Sequence, residues 1–298
     1  MQDLGEIHYI LGLEIDFHEE YAFICQSRYV FSMLRKFNMQ NCKDIDTPME
    51  QHVKDPIKVD ERSFEDITLY RSFIGSLIWL TITRPDLSYC VHKLMQFMQD
   101  PKIQHWKMAK RVLRYVSSTQ DYGLLYKNED LTIVGYSDSD FASDKMDRKS
   151  INAYTIFLGG NLVSWLSKKQ DTISLSSCEA EYKALTTTTK ELLWIKRLIM
   201  ELKCIKDDDL PLIKCDNISA QALAKNPIFH AKNKHIEVAH HFVREKLIGG
   251  EINLEHIDTS SCIADLLTKP LCKSVFSKHR SNLGLISRSM LDPHKIHF

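Results

Sequence analysis

The sequence predicts an α/β fold in which a mixed five-stranded sheet with flanking helices is preceded by a mainly helical segment. Three observations predict it. Apolar residues before about position 120 recur mostly at helical spacing, and those after Gly123 fall in strand-like runs. The second half then reads in the order β-β-β-α-β-α-α-β-α, which demands a mixed sheet with helices packed on it. A chain of 298 residues with 44% hydrophobic and 26% charged residues can bury a real core, which excludes disordered, collagen-like and coiled-coil classes. At ~100–200 residues per domain the length suggests roughly two domains, and the change of pattern puts their boundary near residue 128.

In chain order, residues 1–16 alternate in patches around Gly12 (Ile7, Tyr9, Leu11, then Leu13 and Ile15) and read as a hairpin. Gln26 to Met39 sets Tyr29, Met33 and Phe37 in one helical stripe. The acidic stretch Asp44–Asp66, with Pro48 and Pro56, reads as a loop. Helices follow over Leu69–Thr81 and Asp86–Met98, with Arg84-Pro85 between them and Pro101 after. His105–Ser117 separates an apolar face (Trp106, Ala109, Leu113, Val116) from a basic ridge of Lys107, Lys110, Arg111 and Arg114. By spacing alone that ridge is equally a nucleic-acid contact or a solvated face.

Strands are expected at Leu131–Ser137, Tyr154–Leu158 and Leu162–Trp165, the last two joined by a Gly159-Gly160-Asn161 turn. A long helix runs from about Ser177 to Lys203, followed by strand Leu212–Cys215 and a helix stopped near Asn226-Pro227. A helix over Lys234–Ile248, a strand over Ile252–Ile257 and a short helix near Ile263–Lys269 complete the series.

No apolar run approaches the ~20 residues of a membrane span, and the first six residues lack the features of a secretory signal. The expectation is an intracellular protein, cytoplasmic or nuclear and not secreted. Eight cysteines without any Cys-x-x-Cys read as reduced, mostly buried thiols, not a disulfide framework or zinc site. Net charge is zero, yet residues 1–100 carry 10 basic against 16 acidic side chains, leaving the remainder net basic. The basic part is the better candidate for nucleic-acid contact.

Four carboxylates stand where strands meet helices or inward helix faces begin. Asp138 ends the first strand of the second half, and Asp216 ends the fourth, immediately before a helix. The carboxyl ends of strands are where α/β sheets build sites. On the long helix, Glu181 shares a face with Leu185, Thr188, Leu192, Ile195 and Ile199, whereas Glu179 shares one with Lys183, Thr186 and Lys190. Glu181 is therefore expected toward the sheet and Glu179 toward water. Asp265 opens the last short helix. Converging acids need counter-charge, which hard divalent cations supply through oxygen ligands. Two Mg²⁺ ions ~3.5–4 Å apart would support an in-line phosphoryl displacement. Each acid taken singly also fits a turn or helix cap. Asp140, Asp144 and the run Asp207–Asp209 read as solvated acids, and His230, His235, His240 and His241 as structural.

Taken together, the motifs resemble the C-terminal part of the Pol polyprotein of copia-type LTR retrotransposons, from the end of the reverse transcriptase through the RNase H domain. The resemblance runs nearly end to end. It is carried by Met1-Gln2-Asp3-Leu4-Gly5-Glu6, Leu11-Gly12-Leu13-Glu14-Ile15, Thr47-Pro48-Met49, Tyr70-Arg71-Ser72-Phe73-Ile74-Gly75-Ser76-Leu77, Thr83-Arg84-Pro85-Asp86, and His105-Trp106 with Lys110–Tyr115. It continues through Gly135-Tyr136-Ser137-Asp138, Ser164-Trp165 with Ser167-Lys168-Lys169-Gln170, Ser176–Tyr182, Cys215-Asp216-Asn217, Lys234-His235-Ile236-Glu237 with His241–Glu245, and Ala264–Leu271.

The resemblance implies a ribonuclease H-like domain at 129–273 whose catalytic and metal-holding set is Asp138, Glu181, Asp216 and Asp265. It implies two Mg²⁺ ions, with Mn²⁺ as a substitute, and hydrolysis of the RNA strand of RNA/DNA hybrids to a 5′-phosphate and a 3′-hydroxyl. Ser260-Ser261-Cys262 replaces a more polar turn usual before Ala-Asp. Residues 1–128 resemble a reverse-transcriptase thumb and connection segment; no Tyr-x-Asp-Asp turn occurs, so DNA synthesis is not expected. Residues 274–298 read as a C-terminal tail. Partners implied are the RNA/DNA hybrid and either the rest of the reverse transcriptase or other Pol chains. Hybrid contact would fall to phosphate and 2′-hydroxyl groups, with Lys168, Lys169 and the ridge Lys107, Lys110, Arg111 and Arg114 as candidates. The alternative is a catalytically silent remnant that binds nucleic acid or a protein partner.

Overall fold

A computed structural model of the chain describes residues 5–51, 62–144, 146–205, 209–225 and 242–291. The chain divides into two compact units, residues 1–127 with 270–298, and residues 128–269.

In the first unit, Tyr9–Ile10 (β1) and Leu13–Phe17 (β2) form the hairpin around Leu11-Gly12, both at positive φ. Tyr21–Cys25 (β3), Tyr122–Lys127 (β4) and Leu285–Ser287 (β10) extend it into an antiparallel sheet of order β1-β2-β3-β4-β10. Helices Ser27–Lys36 (α1), Ile67–Leu80 (α2), Ser88–Met95 (α3) and Ile103–Ser117 (α4) supply a core that includes Tyr70, Phe73, Leu77, Leu94 and Leu113, all buried. The expected helix over 86–98 is shorter because Pro85–Leu87 form a 3₁₀ turn before α3. The mainly helical segment thus also contains a sheet. Its strands β3 and β4 pair across almost a hundred intervening residues, a contact that local patterning does not encode. Gly123 is required by that pairing, since a Cβ there would meet the Ile24 carbonyl oxygen at 2.5 Å.

The expected tail at 274–298 is corrected over its described part. Lys273–Asn282 form a helix (α8) that buries Phe276, and β10 pairs antiparallel with β4, Leu285 opposite Leu124. Burial of Phe276 beside Tyr115 of α4 and pairing of Leu285 with β4, not local sequence, order this segment.

A buried ion pair ties the helices of this unit together. Arg84, 1% exposed, donates from Nε to Asp86 Oδ1 at 3.0 Å and from Nη2 to Oδ2 at 2.8 Å. Its Nη1 donates to the Thr119 carbonyl at 2.8 Å, and Tyr115 donates its hydroxyl to Asp86 at 2.6 Å. Both charges are therefore fully hydrogen-bonded, the condition under which a buried pair is tolerated. Arg84-Pro85-Asp86 serves this packing.

In the second unit, Ile133–Asp140 (β5), Ile151–Leu158 (β6) and Asn161–Lys169 (β7) form an antiparallel meander. Gly159 and Gly160 make the β6–β7 turn with φ of +56° and +72°, the left-handed pair a tight hairpin needs. Leu212–Cys215 (β8) and Asn253–His256 (β9) add in parallel beside β5, giving the order β7-β6-β5-β8-β9. This is the mixed five-stranded sheet of a ribonuclease H-like fold. The long helix Ser177–Glu201 (α5) packs on β5 and β6 through Leu185, Leu192 and Ile199. A Cβ at Gly135 would come within 3.0 Å of Leu192 Cδ1, so glycine sets how closely α5 approaches β5. Ile218–Lys225 (α6) and helical residues 242–248 (α7) contribute Ala220, Ala224 and Val243 to the same core. Among the described residues no helix is long and apolar enough to cross a membrane.

Replacing Arg84 with alanine should lower stability by about 3–5 kcal/mol, because Asp86 is left buried without its counter-charge. Urea unfolding should show this loss, while Lys110→Ala on the exposed side of α4 should stay within about 0.5 kcal/mol.

Candidate active site

The expectation that Asp138 ends its strand is corrected: β5 continues to Asp140, and Asp138 pairs with Ala153 of β6. The parallel register of β5 and β8 sets Ser137 opposite Cys215, so Asp138 within β5 and Asp216 just past β8 stand beside each other. Asp138 is buried, 3% exposed, and Asp216 is half-buried. Thr268 donates its hydroxyl to Asp138 Oδ2, and Thr259 donates to Asp216 Oδ2 at 2.7 Å.

Helix α5 brings the third acid. Ser176 caps the helix by accepting from Glu179 N at 3.1 Å, and Glu179 in turn accepts from Leu175 N at 2.8 Å. Glu179 also pairs with Lys183 at 2.8 Å, and its side chain is only 10% exposed. The expectation that Glu179 faces open water is therefore corrected: its carboxylate fastens the start of α5. Two residues on, Glu181 turns to the sheet and accepts from Ser139 N at 3.2 Å. Its other oxygen, Oε2, is buried without a hydrogen-bond partner.

The fourth acid sits on the 3₁₀ segment Ile263–Leu267, which packs against β5 and β6. Asp265 is 5% exposed and pairs with Lys269 Nζ at 2.9 Å. One oxygen each from Asp138 and Asp265, with Cys262 Sγ, lie within 4.8 Å of one another, and so do those of Glu181 and Asp216 with Cys215 Sγ. The structure therefore brings together all four expected acids, as two pairs that meet at Asp138-Ser139.

Burial and the neighbouring Asp265 push the Asp138 carboxyl well above the usual carboxylate range. Burial, Asp138 and Asp216 do the same to Glu181. Burial opposes the charge of Lys269, but Asp138 and Asp265 outweigh it and raise its pKa. Burial and the adjacent carboxylates push the Cys215 and Cys262 thiols up. These shifts describe an anionic cluster short of positive charge. The oxygen-rich donor set and the orphaned Glu181 Oε2 fit a hard divalent cation. Thr268, Lys269, Thr259 and Ser139 hold the acids, and none was singled out from sequence as a partner. The signal for two of them was local, because Thr268 and Lys269 follow Asp265 at helical neighbour spacing.

The basic candidates separate. Lys107 and Lys110 stand on the exposed side of α4. Arg111 instead pairs with Glu50 at 2.7 Å, and Arg114 donates to the Lys43 carbonyl at 2.8 Å, so both hold the 43–50 loop. In the other unit, Lys168 is exposed and 3.7 Å from Asp171. Lys169 reaches Asp144 at 2.6 Å and Asp147 at 3.1 Å. Asp144, expected as a solvated acid, is 3% exposed, and this ion pair is what its burial requires. All eight cysteines are free, with Cys25, Cys90, Cys215 and Cys262 buried. His230, His235, His240, His241, Asp207, Asp208, Pro56 and the Lys234–Glu237 motif lie outside the described residues.

A mixed sheet of order β7-β6-β5-β8-β9 with the long helix α5 packed on it is a ribonuclease H-like fold. The relatives make the affiliation specific. The chain is 40% identical over 282 residues to the retrovirus-related Pol polyprotein from transposon RE2 of Arabidopsis thaliana, across 94% of this chain and 19% of that protein. It is 35% identical over 295 residues to the Pol polyprotein from transposon TNT 1-94 of Nicotiana tabacum, across 96% of this chain and 22% of that one. The chain belongs to the copia-type, retrovirus-related Pol polyproteins of transposons, and it spans about a fifth of the length of these relatives. Among solved structures, RNase H1 from Halobacterium salinarum aligns at 16% identity over 46% of this chain and 94% of its own, with a TM-score of 0.34. No protein-family profile matches the chain.

The raised carboxyls carry a stability signature. An acid whose pKa is higher folded than unfolded binds more protons in the native state, so it costs stability as pH rises above the ordinary carboxylate range. Metal-free protein should therefore lose stability from about pH 5 to pH 8. Glu181→Gln should raise its melting temperature at pH 8 by ~2–4 °C, and it should shrink the further stabilisation that Mg²⁺ gives the unaltered chain.

Proposed function

We propose that residues 128–269 form the ribonuclease H of a transposon Pol polyprotein and hydrolyse the RNA strand of RNA/DNA hybrids. The observation that carries this reading is the gathering of Asp138 with Asp265 and of Glu181 with Asp216 as two neighbouring acid pairs from four separate elements, with Glu181 Oε2 buried and unpartnered. Four acids at one point are unfavourable for folding and have the donor set of a divalent-cation site. Asp138 with Asp265, and Glu181 with Asp216, would hold two Mg²⁺ ions, which Mn²⁺ could replace. When bound, the ions supply a water activated for attack and charge to stabilise the departing oxygen.

The chain's own groups set the geometry. Ser139 N–H fixes one oxygen of Glu181 and leaves the other free for a ligand. Thr268 and Thr259 hold single oxygens of Asp138 and Asp216, and Lys269 orients Asp265 while offsetting part of the negative charge. The accessible Asp216 marks the open side of the site, where a phosphodiester would enter. Recognition would come from phosphate and 2′-hydroxyl contacts and weaken with salt. Lys107, Lys110 and Lys168 are the exposed candidates for it; Arg111 and Arg114 hold the 43–50 loop, and Lys169 holds Asp144 and Asp147.

The test is cleavage of a strand-labelled RNA/DNA hybrid in Mg²⁺. Cutting confined to the RNA strand is expected. Asp216→Asn should lower the rate by at least about 10²-fold, while Glu179→Gln, which changes only the helix start, should stay within about 10-fold. A folded protein that binds the hybrid without cutting it would replace this reading with a silent binding remnant.

A further inference from the structure

Each half of the carboxylate site contains a thiol that hydrolysis does not require. Cys215 ends β8 beside Glu181 and Asp216, and Cys262 precedes the 3₁₀ segment beside Asp138 and Asp265. Mg²⁺ binds oxygen and takes little from sulfur, whereas Zn²⁺ and Cd²⁺ accept thiolate and carboxylate together.

The two halves differ in what already faces them. Asp265 is paired with the Lys269 ammonium, Asp138 is held by Thr268, and Asp138, Cys262 and Asp265 are each at most 5% exposed. That half offers an incoming cation one competitor and no open side. In the other half Glu181 is 6% exposed and its Oε2 lacks a hydrogen-bond partner. Asp216, half-buried, opens it to solvent. The donors for a borderline or soft ion are therefore gathered: Cys215 lies buried at the inner side, Glu181 offers an unpartnered oxygen, and Asp216, held by Thr259 through one oxygen, forms the side open to solvent.

We propose that Glu181, Cys215 and Asp216 form a mixed oxygen–sulfur site that takes up thiophilic divalent cations, Zn²⁺ or Cd²⁺, in preference to Mg²⁺. On uptake the Cys215 S–H bond breaks, a sulfur–metal bond forms and the proton passes to solvent, with no change of oxidation state. The ion occupies carboxylates assigned above to Mg²⁺, so it displaces Mg²⁺ from this half. The inference rests on the donor set and stands whether or not the chain cuts a hybrid.

The test is titration of Cd²⁺ into the full chain in excess Mg²⁺, with Cys42, Cys178, Cys204 and Cys272 replaced by Ala. The ultraviolet thiolate-to-cadmium charge-transfer band reports binding, and circular dichroism reports folding. The band should saturate at the first equivalent, persist in Cys262→Ser and vanish in Cys215→Ser. Asp216→Asn, which leaves the thiol in place, should weaken Cd²⁺ binding about 10-fold or more, and this carries the test if Cys215→Ser does not fold. No band in a folded sample, a band that survives Cys215→Ser, or Cd²⁺ affinity unchanged in Asp216→Asn would each overturn the proposal. Hybrid cleavage is not part of the readout, so failure here and failure of the nuclease reading are separately visible.

Discussion

Electrostatic crowding at one end of a sheet organises the second unit of this chain. Asp138, Glu181, Asp216 and Asp265 belong to strand β5, a helix, the residue after β8 and a 3₁₀ segment, and none has a reason of its own to approach the others. The fold brings them together because β5 and β8 are parallel neighbours, α5 lies close on Gly135, and the 3₁₀ segment packs against β5 and β6. Raised carboxyls at Asp138 and Glu181 are the cost of that arrangement in the absence of cations.

The supporting groups limit that cost without cancelling it. Lys269 brings one positive charge to Asp265, and Ser139, Thr259 and Thr268 each satisfy a single carboxylate oxygen. The orphaned Glu181 Oε2 is the remainder. A protein with no use for a cation would gain stability from an amide or apolar side chain at this position.

Much of this was legible in the sequence where the determinant is local. The 3.6-residue period turned Glu181 to the sheet, although Glu179 is itself largely covered, and the end of β8 marked Asp216; Asp138 instead lies within β5, two residues before its end. It failed where the determinant is distant. Strands β3, β4 and β10 pair across long separations, so residues 274–291 read as a tail although Phe276 and Leu285 are buried. Asp144 read as a solvated acid and Lys169 as a nucleic-acid contact because nothing local shows that a loop and a strand end meet in an ion pair. Arg111 and Arg114 looked like half of a nucleic-acid ridge for the same reason, since the loop they hold follows α1 and lies far upstream.

The central claim is that these four side chains constitute one divalent-cation site. Anomalous diffraction from crystals of the chain grown with Mn²⁺ tests it most directly. The account predicts manganese density ligated by oxygens of Asp138, Glu181, Asp216 and Asp265, with Glu181 Oε2 among the ligands. Ordered carboxylates with no manganese between them at saturating Mn²⁺, or manganese bound only elsewhere, would contradict it.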